Sequence, residues 1–149
     1  MKTIKDYFKI QELVCNVVYE KFGERSWKFF DNDLLETLLV IREAIGKPIT
    51  INNWNNGGRF TQRGLRHNLS RLVTSKKRLY LSPHIFGKGI DFDVKGMSAP
   101  EVREWLVDNQ DILPYKIRLE RKLAGKPINW VHLDTLSEPK YPKVYQFDC

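Results

Sequence analysis

The stretch Gly89-Ile90-Asp91-Phe92-Asp93-Val94 decides the fold, because apolar and acidic residues alternate along it. Side chains of a β-strand point to opposite faces in turn, so this alternation predicts a strand with one face in the core. Asp91 and Asp93 then share the other face. The stretch therefore predicts a half-buried strand that presents two carboxylates outside the core.

A second alternating stretch, Trp130-Val131-His132-Leu133-Asp134, lies near the end of the chain. On a strand its polar residues His132 and Asp134 point to one face, while its two smaller apolar residues point to the core. Residues 116–120 are also typical of a strand, and a short turn with Gly125 connects the two. We therefore expect a hairpin, in which a histidine of one strand can face an aspartate of a neighbouring strand.

Three helices are predicted beside these strands. Residues 7–22 place apolar side chains near helical spacing. The stretch between Asp31 and Gly46 has a stronger apolar stripe, with the aspartate as N-cap and the glycine as the stop. A third helix follows Ser98, which forms a capping-box pattern with Glu101.

The other strand-like stretches are residues 49–51, 78–81 and 144–146, the last of which would add an edge strand. The chain has no repeat, no low-complexity segment and no linker, so residues 1–149 are expected to form a single domain. We predict an α+β fold, in which N-terminal helices pack on a small antiparallel sheet that carries the histidine and aspartate residues.

The composition, with 42% hydrophobic and 29% charged residues, is that of an ordinary soluble globular protein. No window approaches the roughly 18 apolar residues that a membrane span needs, so no membrane insertion is expected. The N-terminus lacks the apolar run of a secretory signal peptide, which predicts a cytoplasmic location on synthesis. Two cysteines are too few for a disulfide framework or a cysteine zinc site.

The net charge of +7 favours anionic partners. Nucleic acid and an anionic cell-wall polymer both fit that charge, as does a solvated basic surface. The chain has no recognition helix, zinc finger or RNA-binding signature, so no specific nucleic-acid partner is expected.

His84 and His132 lie in the two most distinctive segments of the chain. A histidine in a turn can reach the same metal ion as Asp91 on the strand that follows, and Gly87 and Gly89 allow a tight bend between them. Two histidines and one carboxylate, with one coordination position left open, form a catalytic zinc arrangement. Such a site activates water and polarises a carbonyl oxygen.

These motifs also resemble those of a known family. The segment Ser82-Pro83-His84-Ile85-Phe86-Gly87-Lys88-Gly89-Ile90-Asp91 fits the pattern Ser-x-His-x-x-Gly-x-x-x-Asp of the zinc D-Ala-D-Ala peptidase and hedgehog superfamily, and Trp130-Val131-His132 fits its second motif. The likeness extends over most of residues 7–135. Residues 57–66 resemble the arginine-bearing loop of a phage-type subgroup.

The resemblance implies a hedgehog/DD-peptidase-like fold with one Zn²⁺ ion. The implied ligands are His84, Asp91 and His132. Ser82 lies in the first motif, near the substrate. Arg63 or Arg66 would bind a substrate carboxylate, because a planar guanidinium makes two parallel hydrogen bonds to that group. For both arginines, a solvated loop charge is the alternative.

The catalytic base is where the sequence departs from the family pattern. Many members have an acidic residue three positions before the second histidine ligand, where this chain has Asn129. An amide cannot transfer a proton, so another carboxylate must do so. Glu120 is the first candidate, because in a hairpin it would face the site beside His132. Asp134 is the second, although it could instead orient a ligand ring.

The resemblance implies a zinc peptidase that cleaves D-alanyl bonds, D,D or L,D, in peptidoglycan stem peptides. A phage origin, as an endolysin or a virion component acting at the cell wall, fits the missing signal peptide; the oligomeric state is left open. The alternative is a zinc-stabilised binding or structural module with little or no activity, such as a phage tail component, because Asn129 replaces the usual acid.

Overall fold

The computed structural model describes residues 1–149 and contains four α-helices and five β-strands. The helices are α1 (Asn16–Phe22), α2 (Asn32–Ile45), α3 (Arg71–Thr74) and α4 (Ala99–Asp108). The strands are β1 (Ile49–Thr50), β2 (Gly89–Val94), β3 (Ile117–Leu123), β4 (Lys126–Asp134) and β5 (Val144–Asp148). Short 3₁₀ turns lie at Ile4–Asp6, Ile10–Glu12, Gly23–Phe29, Trp54–Asn56 and Gln110–Ile112. The predicted α+β class is confirmed.

The five strands form one sheet in the order β1-β2-β4-β3-β5. Strands β1 to β4 pair antiparallel, as predicted, but β5 pairs parallel to β3. The prediction of a wholly antiparallel sheet is therefore wrong. Both sides of β4 are taken, by β2 and β3, so the chain passes over β3 and pairs with its free edge. That path makes β5 parallel to β3.

The predicted helix over residues 7–22 is replaced by the 3₁₀ turn Ile10–Glu12 and the short helix α1. Other segments take the carbonyl oxygens that a continuous helix would need. Those of Glu12 and Leu13 accept hydrogen bonds from the amides of Asn52 and Leu65, at 2.8 and 2.9 Å. The Val14 carbonyl accepts one from the indole of Trp54. Long-range hydrogen bonds thus outweigh the local apolar spacing.

The termini of α2 and α4 agree with the predicted capping residues. The Asp31 side chain accepts a hydrogen bond from the Asp33 amide, and Gly46 ends α2 in the left-handed conformation. The Ser98 hydroxyl accepts a hydrogen bond from the Glu101 amide at the start of α4. These side chains satisfy amide groups that the first turn of a helix leaves free.

The hydrophobic core lies between the helices and one face of the sheet. Ile90 and Phe92 of β2 are fully buried, as are Val131 and Leu133 of β4. They belong to a cluster of 26 buried apolar residues that includes the inner face of α2. The alternation in the sequence therefore assigned the two faces of β2 and β4 correctly, and the polar face is left for the site.

The predicted strand at residues 78–81 is absent. Residues 77–81 neither donate nor accept a backbone hydrogen bond, and Leu79 and Leu81 are exposed. Alternation alone does not make a strand when no neighbour offers an edge for pairing.

Across the whole chain, no helix has the length and apolar character needed to cross a membrane.

Candidate metal centre

The polar face of the sheet carries a row of directly opposed residues. Asp91 of β2 pairs with His132 of β4, His132 pairs with Glu120 of β3, and Glu120 pairs with Phe147 of β5. Directly opposed residues of antiparallel strands project from the same face with Cβ atoms about 4.5–5.5 Å apart. The register of β2, β4 and β3 therefore brings two predicted ligands and the first candidate base side by side.

His84 reaches this row from the turn that precedes β2. Gly87 closes the turn with a φ of +67°, a left-handed conformation that glycine adopts without steric cost. The Gly87 carbonyl accepts a hydrogen bond from the Asp31 amide at 3.0 Å, and Lys88 forms an ion pair with the Asp31 carboxylate. The start of α2 thus fixes the turn that carries His84.

One nitrogen of the His84 ring is held by the backbone. Nδ1 lies 2.9 Å from the Gly64 carbonyl oxygen, which can only accept a hydrogen bond, so Nδ1 carries the proton. Nε2 faces Asp91 Oδ1 at 3.3 Å. A Cβ atom on Gly64 would lie 1.9 Å from the Leu13 carbonyl oxygen, so only glycine fits here. This packing places the carbonyl that orients His84.

The His132 ring is held in the opposite tautomer, with Nε2 rather than Nδ1 bound to an outer partner. Its Nε2 lies 2.8 Å from Asp134 Oδ2, and its Nδ1 lies 2.9 Å from Asp91 Oδ1. Asp134 is completely buried and also accepts two hydrogen bonds from the Arg118 guanidinium, at 2.7 and 3.0 Å. The proton on Nε2 thus points to Asp134, which leaves Nδ1 as the nitrogen that faces Asp91.

The three inward atoms form a group that could hold a metal ion. Ligand atoms of His84, Asp91 and His132 lie within 4.8 Å of one another, and all three residues are buried. In a tetrahedral site with bonds of 2.0–2.1 Å, ligand atoms are about 3.3 Å apart, close to the separations from Asp91 Oδ1. Three converging lone pairs repel one another unless a proton or a cation lies between them. The donor set therefore fits a divalent ion.

The charges of this group are strongly coupled. Burial alone would raise the pKa of Asp91, but the adjacent His84 and His132 rings more than offset burial and hold it well below its usual range. Burial alone would lower the pKa of His132, yet hydrogen bonds with Asp134 and Asp91 raise it to about 9. Without a metal ion these two carboxylates favour the positively charged form of His132, in which both ring nitrogens carry a proton. A bound cation would take the place of the proton on Nδ1.

Two arginines extend from the loop before the first motif. The Arg66 guanidinium contacts Asp91 Oδ2 at 3.3 Å, the oxygen that faces away from the histidines, and its Nε donates to the Gln62 carbonyl. The Arg63 guanidinium donates to Asp93 Oδ2 at 2.9 Å. The Arg66 side chain therefore contacts a carboxylate of the candidate metal group, whereas the Arg63 side chain contacts none of its three members.

An open cleft of about 610 Å³ lies beside the ligands. Asp91 forms part of its wall together with Arg63, Arg66, Asn129 and Trp130. The cleft therefore has room for a short peptide, and Asp91 is the member of the candidate metal group that lines it. Its lining includes arginine and aspartate side chains, which supply donors for carboxylates as well as acceptors for amides.

The remaining predicted site residues are Glu120, Ser82 and Asp134. Glu120 is partly exposed and shares the polar face with His132. Ser82 is buried, and its hydroxyl accepts a hydrogen bond from the His84 amide at 3.3 Å, which supports the turn. Of the two interpretations of Asp134, its contacts favour the orienting role, because His132, Arg118 and the Leu136 amide occupy both of its oxygens.

Sequence reasoning missed two contributors. Arg118 donates two hydrogen bonds to Asp134. Strand alternation could have predicted this position, because Arg118 and Glu120 lie two positions apart on one strand and share a face. The Gly64 carbonyl left no comparable signal, since its role depends on a contact between a loop and the N-terminal turns.

Searches against protein-family models, curated proteins and solved structures find no match for this chain.

Proposed function

We propose that this protein is a zinc-dependent peptidase that cleaves D-alanyl bonds, D,D or L,D, in peptidoglycan stem peptides. One observation carries the proposal. The inward nitrogens of His84 and His132 converge on one oxygen of Asp91, while the outward nitrogens are held by the Gly64 carbonyl and by Asp134. Such orientation of ligand rings by outer partners is typical of metal sites.

The donor set favours a transition-metal ion such as zinc over calcium or magnesium, and the sequence resemblance selects zinc among the transition metals. Imidazole nitrogens suit zinc, copper, iron and nickel, whereas calcium and magnesium prefer oxygen ligands. Three protein ligands from two histidines and one carboxylate are typical of a catalytic zinc site. Zinc bound there would supply Lewis-acid activation of a water molecule and of the scissile carbonyl.

The residues of the chain would share the remaining work. Glu120, opposite His132 in the sheet, would accept the proton of the attacking water and pass it to the leaving amine. Arg63, at the wall of the cleft, would bind a carboxylate of the stem peptide. Arg118 and Asp134 would keep His132 in the tautomer whose Nδ1 binds the metal.

A second candidate function is a metal-stabilised binding or structural module with little or no activity. Asn129 favours it, because it lines the cleft and stands where many members of the peptidase family that the sequence resembles have an acidic residue. An amide cannot transfer protons, so the module would keep the metal and the fold but not the reaction. Such a protein would serve as a component of a larger assembly, for example a phage tail.

The two functions differ in one assay. Purified protein loaded with one equivalent of zinc is incubated with peptidoglycan and with isolated stem peptides, and released D-alanine and new amino groups are measured. The peptidase proposal predicts release that depends on zinc and disappears in H132A, while H67A, which changes the histidine outside the ligand group, keeps activity. Zinc binding without any release supports the module instead.

A further inference from the structure

The net positive charge of the chain comes from one region. Residues 44–90 contain nine lysine or arginine residues and no aspartate or glutamate. The whole chain has 25 basic and 18 acidic residues, so the other residues carry 16 basic and 18 acidic ones. The entire excess of +7 therefore comes from this region, which also supplies Arg59, Arg63 and Arg66 to the wall of the cleft.

Within this region, residues 69–81 combine exposed cations with exposed leucines. Every basic side chain of the segment is exposed and none forms an ion pair: Arg71, Lys76, Lys77 and Arg78. Its four leucines are also exposed, by between 44% and 87%: Leu69, Leu72, Leu79 and Leu81. Side chains of this size usually contribute to a core, so a short segment with four exposed leucines is a candidate contact surface for a partner.

The segment has little structural duty in the fold. The backbone hydrogen bonds of its first half stay within residues 67–76, and residues 77–81 make none. Its link to the body is a hydrogen bond from the Ser70 hydroxyl to Gln62, beside the cleft. Leu72 forms part of the cleft wall. The segment therefore stands at the rim of the cleft, with its leucines and its cations available.

We propose that residues 69–81 form an interfacial anchor that binds an anionic lipid surface and holds the cleft against it. Four cations without an acidic neighbour complement anionic headgroups, and leucine side chains can enter the boundary between headgroups and acyl chains. An anionic polymer in water would be attracted by the cations but would give the leucines no apolar phase. The combination of the two residue types is what favours lipid. This inference does not depend on the metal or on peptidase activity.

The test is co-sedimentation of the full-length protein with vesicles. One set contains phosphatidylglycerol and phosphatidylcholine, and the other contains phosphatidylcholine alone. We expect binding to the first set only, with strong weakening by added salt. In K76S/K77S/R78S, binding falls about 100-fold, because each cation near such a surface contributes roughly fivefold. In L79S/L81S, binding falls more than about tenfold.

Matched controls show whether the loss belongs to this segment. L123S removes a half-exposed leucine at the end of β3, and K126S/K140S/K143S removes three lysines outside residues 44–90. Both should bind vesicles like the unchanged protein, and circular dichroism should show all variants folded. Because every substituted side chain of the segment is exposed, loss of folding is not expected.

Three results would overturn the proposal. The first is no binding to anionic vesicles. The second is equal binding of L79S/L81S together with tight, salt-sensitive binding to an anionic polymer such as polyphosphate, which would assign the segment to a polymer. The third is a dimer in analytical ultracentrifugation that dissociates in L79S/L81S, which would assign the leucines to a second copy of the chain.

Discussion

Glu120 of β3 lies directly opposite His132 of β4, on the polar face of the sheet that also carries Asp91. This pairing puts a partly exposed carboxylate next to a buried ligand ring. Strands β3 and β4 pair in regular register from Glu120 and His132 to Arg118 and Asp134. The irregularity in β3 lies between Glu120 and Lys122. This register is the reason that we propose Glu120 as the catalytic base.

The first prediction concerns Glu120. E120Q keeps the shape of the side chain but cannot accept a proton, so turnover of stem peptides should fall by about 10²- to 10⁴-fold while zinc still binds at one equivalent. E104Q, on helix α4 and outside the polar face, is the matched control and should retain activity. An E120Q protein with unchanged turnover would assign the base to another group.

The second prediction separates the two arginines of the cleft. Arg63 pairs with Asp93, outside the ligand group, whereas Arg66 contacts the ligand Asp91. R63Q should raise KM for a stem peptide by about 10- to 100-fold, because it loses a charged hydrogen bond, and leave zinc affinity unchanged. R66Q should weaken zinc binding. If R63Q instead released zinc and R66Q did not, these assignments would be reversed.

The third prediction tests Asp134 as the partner that orients His132. D134N removes the acceptor that fixes the Nε2 proton, and loss of such an outer partner typically costs about 10- to 100-fold in metal affinity. R118Q should have a smaller effect in the same direction, because Asp134 keeps its contact with His132. Isothermal titration with zinc measures both. Unchanged affinity in D134N, with loss of activity alone, would favour Asp134 as the base.

The fourth prediction concerns pH and stability when zinc is removed with a chelator. The folded-state pKa of His132, about 9, lies above its ordinary value of 6.5. Its contribution to the free energy of unfolding is therefore complete below about pH 6.5 and is lost as pH rises to about 9. The pKa of Asp91 is lowered, so its contribution is lost as the solution becomes strongly acidic. Urea midpoints should thus be highest in mildly acidic solution.

Bound zinc should offset the loss of stability that the metal-free protein shows as pH rises. The metal binds the deprotonated imidazole, so its affinity rises with pH. The stabilisation that zinc adds should therefore be larger at about pH 8 than at about pH 6. A zinc-induced shift in the urea midpoint that is equal at both values would mean that His132 does not lose a proton on binding.

Much of this site could be predicted from local pattern. Alternation along β2 and β4 assigned Asp91, His132 and Asp134 to the polar face, because a period of two has a single consistent choice of buried side. The hairpin placed Glu120 opposite His132. Such features depend on a few neighbouring residues, and their physical rules are strong.

Other features depend on distant parts of the chain. The path of β5 was set by which strand edge remained free, and the N-terminal helix was interrupted by hydrogen bonds from the amides of Asn52 and Leu65 and from the indole of Trp54. The Gly64 carbonyl orients His84 only because that loop packs against Leu13. None of these contacts leaves a periodic trace in the sequence.

Metal content measured on purified variants tests the central claim most directly. The protein and its H67A variant should each bind one zinc ion per chain, whereas H84A, D91A and H132A should bind none at the same zinc concentration. His67 makes H67A a matched control, because it is the one histidine outside the ligand group. Zinc retained in H84A and H132A, or absent from the unchanged protein, would contradict the assignment of His84, Asp91 and His132 as a metal centre.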